Sequence, residues 1–206
     1  MAEVKLTKNE LRAQQERLKQ LTKYLPTLQL KKAMLQAEVA LSRQEIIEFQ
    51  EDLKRQQTSV EAFASLLSEP LSFNLIETAK ILEVNKRWEN IAGVEVPYYE
   101  GAQFAPLDYN LFDTPPWVDA AILGLRNVAE AKARVMVGEE KKSALEKELR
   151  EVSIRVNLFE KILIPRSIRV IKKIKVFLGD QQLAAVSQAK TAKNKIIERK
   201  EKAHAH

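Results

Sequence analysis

The chain has 206 residues with 5 glycines, 7 prolines and no cysteine, and a net charge of +6 from 34 Lys/Arg against 28 Asp/Glu. So few turn-forming residues exclude a domain of many short elements, and the missing thiols exclude disulfide and thiol chemistry. With 30% charged and 6% aromatic residues, the expectation is a soluble, cytoplasmic chain of few, long helices around a thin core. Neither a basic cluster before an apolar run nor about 18 consecutive apolar residues is found, so no secretory signal and no membrane insertion are expected.

The first element is read in steps of three and four from Leu11. Leu18, Leu21, Leu25, Leu28, Leu35, Val39, Ile46, Phe49, Leu53, Val60, Phe63 and Leu67 all fall on it, with Gln14, Lys32, Ser42 and Gln56 as its polar members. A seven-residue repeat sustained for about eight heptads predicts a coiled-coil helix. At about 1.5 Å per residue it would be on the order of 85 Å long. Thr7 with Glu10 has the spacing of a capping box. Pro26 should bend the helix locally, and Pro70 should end it.

A change of pattern follows. Phe73 to Arg87 is ambiguous and could begin as helix. Ile81 to Val84 and Val94 to Val96 alternate like short strands around a turn at Asn90-Ile91-Ala92-Gly93. Gly93 suits a positive φ, and Pro97 would limit edge pairing. Pro97, Gly101, Pro106, Pro115 and Pro116 then punctuate a loop, and Trp117 opens a return helix.

The second repeat runs through Val128, Ala131, Val135, Gly138, Lys142, Leu145, Leu149, Val152, Val156, Phe159 and Leu163. Small residues at Ala131 and Gly138 would draw the helices together or admit a large partner side chain, and this thinned stretch is a natural place for a partner protein to dock. Pro165 interrupts the repeat; Ile168, Ile171, Ile174 and Leu178 resume helical spacing. Gly179-Asp180 could fray or kink the helix, and the Ala/Lys-rich stretch to Lys202 should stay helical, with Ala203 to His206 frayed. The fold class is mainly α: a long antiparallel two-helix coiled coil from the chain ends (4–69 and 117–203), with a central module (70–116) holding a β-hairpin at about 81–99.

The chemistry-bearing residues do not converge. The five glycines are never at phosphate-loop or dinucleotide spacing. His204 and His206 suit an unstructured tail better than a metal site, and carboxylates such as Glu146 beside Arg150 suit a salt-bridged helix face. No catalytic residue, cofactor or metal is expected. From Lys161 onward there are 12 Lys/Arg against 3 Asp/Glu, whereas the rest of the chain has 22 against 25. Such a basic end meets nucleic acid, a membrane surface or an acidic protein. With Phe177 alone near Arg166, Arg169, Lys172, Lys173 and Lys175, nucleic-acid stacking is poorly supplied, and a solvated face is the plainer reading.

Three stretches, in order, carry a resemblance: Leu6-Thr7-Lys8-Asn9-Glu10-Leu11 with Leu30-Lys31-Lys32-Ala33-Met34-Leu35; Glu89 to Pro97; and Arg155-Val156-Asn157-Leu158-Phe159-Glu160-Lys161-Ile162-Leu163-Ile164-Pro165 with Ile171-Lys172-Lys173-Ile174. Over nearly its whole length the chain resembles the D subunits of V-type rotary ATPases, in their bacterial, chlamydia-like branch. Tyr24 to Thr27, Met34 to Gln36 and Leu158-Phe159 depart from the commoner pattern of that family. The resemblance implies a non-catalytic rotor shaft, one copy per complex, peripheral to the membrane. Its coiled coil would enter a head of catalytic A and non-catalytic B subunits, with the F subunit on the coil and a socket protein (the C/d component) on the membrane ring. It would couple proton or sodium transport to ATP synthesis or hydrolysis, with no nucleotide or nucleic acid bound by the shaft itself. With the basic end inside such a head, contacts with acidic or polar walls are expected at Lys190, Lys193, Lys195, Arg199 and Lys200, with Thr7 and Lys8 beside them. Coil residues would be Arg155, Asn157, Phe159, Glu160, Ile164 and Pro165, and a hairpin carrying Asn90, Gly93, Val94, Val96 and Pro97 would meet the head rim, the F subunit or the socket. The alternative from another class is a free-standing basic coiled-coil scaffold or nucleic-acid-binding protein.

Overall fold

The computed structural model describes residues 5–61, 75–106 and 114–204, the last six of them as backbone only. Phe63, Leu67, Pro70 and Phe73 lie outside these residues, as do Ala205 and His206. In chain order the elements are α1 (Lys8–Glu61), α2 (Leu75–Thr78), β1 (Ile81–Ile91), β2 (Val94–Phe104), α3 (Val118–Asn157), a π-helical stretch (Leu158–Leu163) and α4 (Ile164–His204). The fold is thus mainly helical, with a small antiparallel hairpin in the middle. The chain forms two compact units: the terminal unit, Met1–Gln29 with Ile154–His206, and the central unit, Leu30–Ser153.

In the central unit, α1 and α3 run antiparallel: Lys31 bonds Glu148 at 2.6 Å, Arg43 bonds Glu146 at 2.7 Å, and Glu45 bonds Lys141 at 2.8 Å. Rising numbers on one helix thus meet falling numbers on the other. The predicted seam is buried, and Ala133, Val137 and Lys141 beside it on α3 are buried as well. Leu35, Val39, Ser42 and Ile46 are buried on α1, and Ala131, Val135, Leu145 and Val152 on α3. Burying each large apolar side chain stabilises the pair by about 1.5–3 kcal/mol. The polar seam member Ser42 is buried with its hydroxyl unpartnered. Gly138 makes room for a large side chain: a Cβ there would stand 3.2 Å from Ile46 Cγ1 and 3.5 Å from the Phe49 ring. The small residues Ala131 and Gly138 are therefore buried within this chain, without any added protein. Glu146 takes Arg43 across the helix pair as its bonded partner, not the expected Arg150.

The hairpin is longer than its sequence signal. Its strands have 11 residues each, so Pro97 and Gly101, expected in a loop, stand within β2. Pro97 faces Trp88 in register; a two-stranded sheet has only edge strands, which tolerate the missing N–H. The connection is the two-residue turn Ala92-Gly93, with φ +51° and +82°, the left-handed pair that matches strand twist. The Asn90 side-chain oxygen accepts the Gly93 N–H at 3.0 Å and fixes that turn. Where Phe73 to Arg87 was ambiguous, the described part is one helical turn, α2, followed by strand.

In the terminal unit, the Thr7 hydroxyl accepts the Glu10 N–H at 3.2 Å and starts α1, while the Glu10 carboxylate accepts from Gln14. α1 continues through Pro26. The helix also runs on through Pro165, and the repeat is interrupted there, as the spacing suggested. The preceding turn widens to a π pattern, in which the Ile164 N–H bonds the Phe159 carbonyl five residues back. This widening moves the seam. Ser167 is 5% exposed and Ile168 50% exposed, so Ser167 holds the place predicted for Ile168, ahead of buried Ile171 and Ile174. Gly179-Asp180 leaves α4 unbroken.

Candidate functional site

Two surfaces stand out, one in each unit. In the central unit the hairpin lies on α3 through three cation–aromatic contacts. The Arg126 guanidinium is 5.1 Å from the Phe104 ring centre, Arg134 is 5.4 Å from Tyr99, and the Lys141 ammonium is 4.2 Å from Tyr98. Numbers rise along α3 as they fall along β2, so the strand is laid antiparallel to the helix. Strict alternation would turn only one of the adjacent tyrosines toward α3. The register shift next to Tyr99 leaves Glu100 without a partner in β1 and re-aims the strand.

Arg126 does more than stack. It donates to the Thr78 carbonyl at 3.0 Å and to the Ala105 carbonyl at 2.6 Å. These carbonyls lie just before β1 and just after β2, so one guanidinium ties the chain together at the open end of the hairpin. Lys141 is 4% exposed. Burial alone would lower its pKa, but the bonds to Glu45 and Tyr98 outweigh it, and the net shift is upward. Burial, with the Glu130 carboxylate beside it, pushes the Tyr99 phenol up to about 12. On the Glu146 carboxyl the Arg43 hydrogen bond has the opposite effect and lowers the pKa. Lys86 bonds Glu140 at 2.5 Å from the other strand. Between β1 and α3 an apolar groove of about 680 Å³ is lined by Ile81, Leu82, Val84, Ala129, Ala133 and Met136.

Of the predicted hairpin residues, Val96 and Pro97 are buried, Val94 is half-buried, and Asn90 and Gly93 build the turn. The sequence reading missed Arg126, Arg134, Lys141, Tyr98, Tyr99 and Phe104. A signal was present: three basic residues about two helical turns apart, and three aromatics within seven positions of a chain poor in them.

The second surface belongs to the terminal unit. From Asp180 to Glu198 every side chain is exposed. Lys190, Lys193 and Lys195 lie there, together with apolar Leu183, Val186, Ile196 and Ile197, which the charge-based reading passed over. Arg199 and Lys200 continue the helix backbone, and their side chains are outside the described set. Lys8, Arg155 and Glu160 are exposed, as is Asn157; Phe159, Ile164 and Pro165 are half-buried. Among the described residues every ion pair falls in the central unit, and no Lys or Arg of the terminal unit makes one. No described helix is long and apolar enough to cross a membrane.

Residues 10–194 match the family of ATP synthase D subunits. Over 201 residues, 97% of each chain, the sequence is 46% identical to the V-type ATP synthase D subunit of Chlamydia abortus. It is 46% identical to that of Chlamydia caviae over the same share. The corresponding protein of Chlamydia pneumoniae is 44% identical over 199 residues, covering 96% of this chain and 95% of its own.

Proposed function

Because the chain belongs to the ATP synthase D-subunit family, we propose that it is the central rotor shaft of a V-type ATP synthase. It would be a non-catalytic part that carries torque between a membrane ion-driven ring and a catalytic head. The observation that carries this reading is the bare end of α4, exposed from Asp180 to Glu198. An isolated helix with four large apolar side chains in water is marginal, and a surrounding protein cavity would complete it. Its cations have no partners of their own among the described residues, so they suit acidic or polar walls. Long ammonium side chains exchange partners readily as one surface turns past another. The head of A and B subunits would supply that cavity, with the F subunit and the socket protein on other parts of the shaft. The shaft would then sit in the cytoplasm, peripheral to the membrane, with one copy per complex.

The test is co-purification with the A, B and F subunits of the same organism. A stoichiometric complex with coupled ATPase activity is expected. Steeply salt-dependent DNA binding with no such complex would favour a free-standing basic coiled coil instead. The double reversal Lys193→Glu/Lys195→Glu should weaken assembly or coupling and alter its salt dependence. Wild-type coupling and wild-type salt dependence in that variant would remove the electrostatic part of the proposal.

A further inference from the structure

The stretch Leu158–Leu163 stands apart from both helices that flank it. Seam positions from Val152 run 152, 156, 159, 163, 167, 171, 174 and 178, all buried or half-buried. A heptad seam alternates steps of three and four. Here three steps of four follow one another, so the chain carries one residue more than the repeat needs. A π turn is the backbone form of such an insertion, and the Ile164 N–H to Phe159 carbonyl bond spans the required five residues. None of the six side chains in the stretch is buried, whereas Val152 and Val156 before it and Ser167, Ile171 and Ile174 after it are. Pro165 has no N–H, so one carbonyl of the stretch loses its helical partner.

We infer that Leu158–Leu163 is a one-residue insertion that keeps both flanking helices in phase with their seam, and that with Pro165 it forms the bending and twisting hinge of the terminal unit. Packing resists deformation where side chains interlock. Here the wide turn, the missing donor and the unburied side chains coincide, so local opening costs least at this point. The inference rests on this turn and the helical residues on either side of it, and holds whether or not the chain turns inside a head.

Two measurements on the full chain test it. By amide exchange, residues 159–164 should exchange faster than 152–156 and 171–174 by about tenfold or more. Equal protection across the three segments would remove the hinge. The insertion is tested by deleting the exposed Ile162 together with Pro165→Ala. Gln14 and Ser167 line one cleft, so Gln14→Cys and Ser167→Cys should accept a short bifunctional thiol cross-linker. With the deletion the cross-link should survive, since an α-helix through the site restores the phase. Inserting one alanine after Ile162 in the native background should abolish it, because that rotates the downstream helix by about 100°. Loss of the cross-link in the deletion variant at unchanged helix content would overturn the insertion. Should the deletion variant not fold, Pro165→Ala alone should slow exchange at 159–164; no slowing would again remove the hinge.

Discussion

The two units are built on one heptad pattern and differ in how they treat charge. The terminal unit carries 19 Lys/Arg against 7 Asp/Glu, and the central unit 15 against 21. All ion pairs among the described residues belong to the central unit, and three of them cross between α1 and α3. There Arg126, Arg134 and Lys141 of α3 are spent on the chain's own carbonyls, carboxylates and aromatic faces. Among the described residues of the terminal unit no Lys or Arg pairs with a carboxylate, and α4 is exposed from Asp180 to Glu198. The central unit holds the hairpin in place with its own charges, while the terminal unit leaves the Asp180–Glu198 surface exposed, as the proposed shaft requires.

The largest expected effect comes from breaking that hold. Lys141→Met leaves the Glu45 carboxylate without its partner and removes the contact with Tyr98. It should destabilise the central unit by about 2–3 kcal/mol, less than a fully buried pair would lose because Glu45 is partly solvated. Denaturant unfolding measures this, and amide exchange should place the loss in residues 30–153. Gly138→Val drives a branched side chain into Ile46 and Phe49, at a cost of about 1–3 kcal/mol. An unchanged melting temperature would mean that the helices shift apart at no cost.

The comparison sharpens at alkaline pH. The folded Tyr99 phenol keeps its proton to about pH 12, whereas an unfolded tyrosine loses it near pH 10. Its contribution is therefore complete below about pH 10 and is lost between pH 10 and 12. The raised Lys141 pKa acts in the same direction, its contribution fading only above the usual lysine range near 10.4. Tyr99→Phe should flatten the stability profile of the central unit over this window, while phenolate absorbance follows the titration directly. The lowered Glu146 pKa works at the acid end. Its contribution is present above about pH 4.3 and is lost as pH falls further.

The smallest effect on stability is expected from salt. Screening relieves like-charge repulsion in the terminal unit and weakens the exposed ion pairs of the central unit. Raising the salt concentration should thus slow amide exchange at residues 165–190 and leave Lys141, shielded by burial, little changed. A uniform response of both units would dissolve the contrast drawn between them.

Much of this was written locally. The heptads of α1 and α3, the Thr7 start and the turn at Gly93 follow from periodicity and from residue types with few conformational choices. Each depends on neighbours a few positions away, so each is legible in one dimension. The charge excess of the last segment is also a property of sequence alone. Tertiary structure decided what those features do. It placed Ser167 on the seam in place of Ile168, because a π turn absorbs a residue that spacing cannot reveal. It filled the gap at Gly138 with Ile46 and Phe49, ninety residues away. It carried the second strand on to Phe104, where Arg126, Arg134 and Lys141 on α3 receive the aromatics of β2. Such pairings are set by which distant side chains fit one another, and that is settled only when the helices meet.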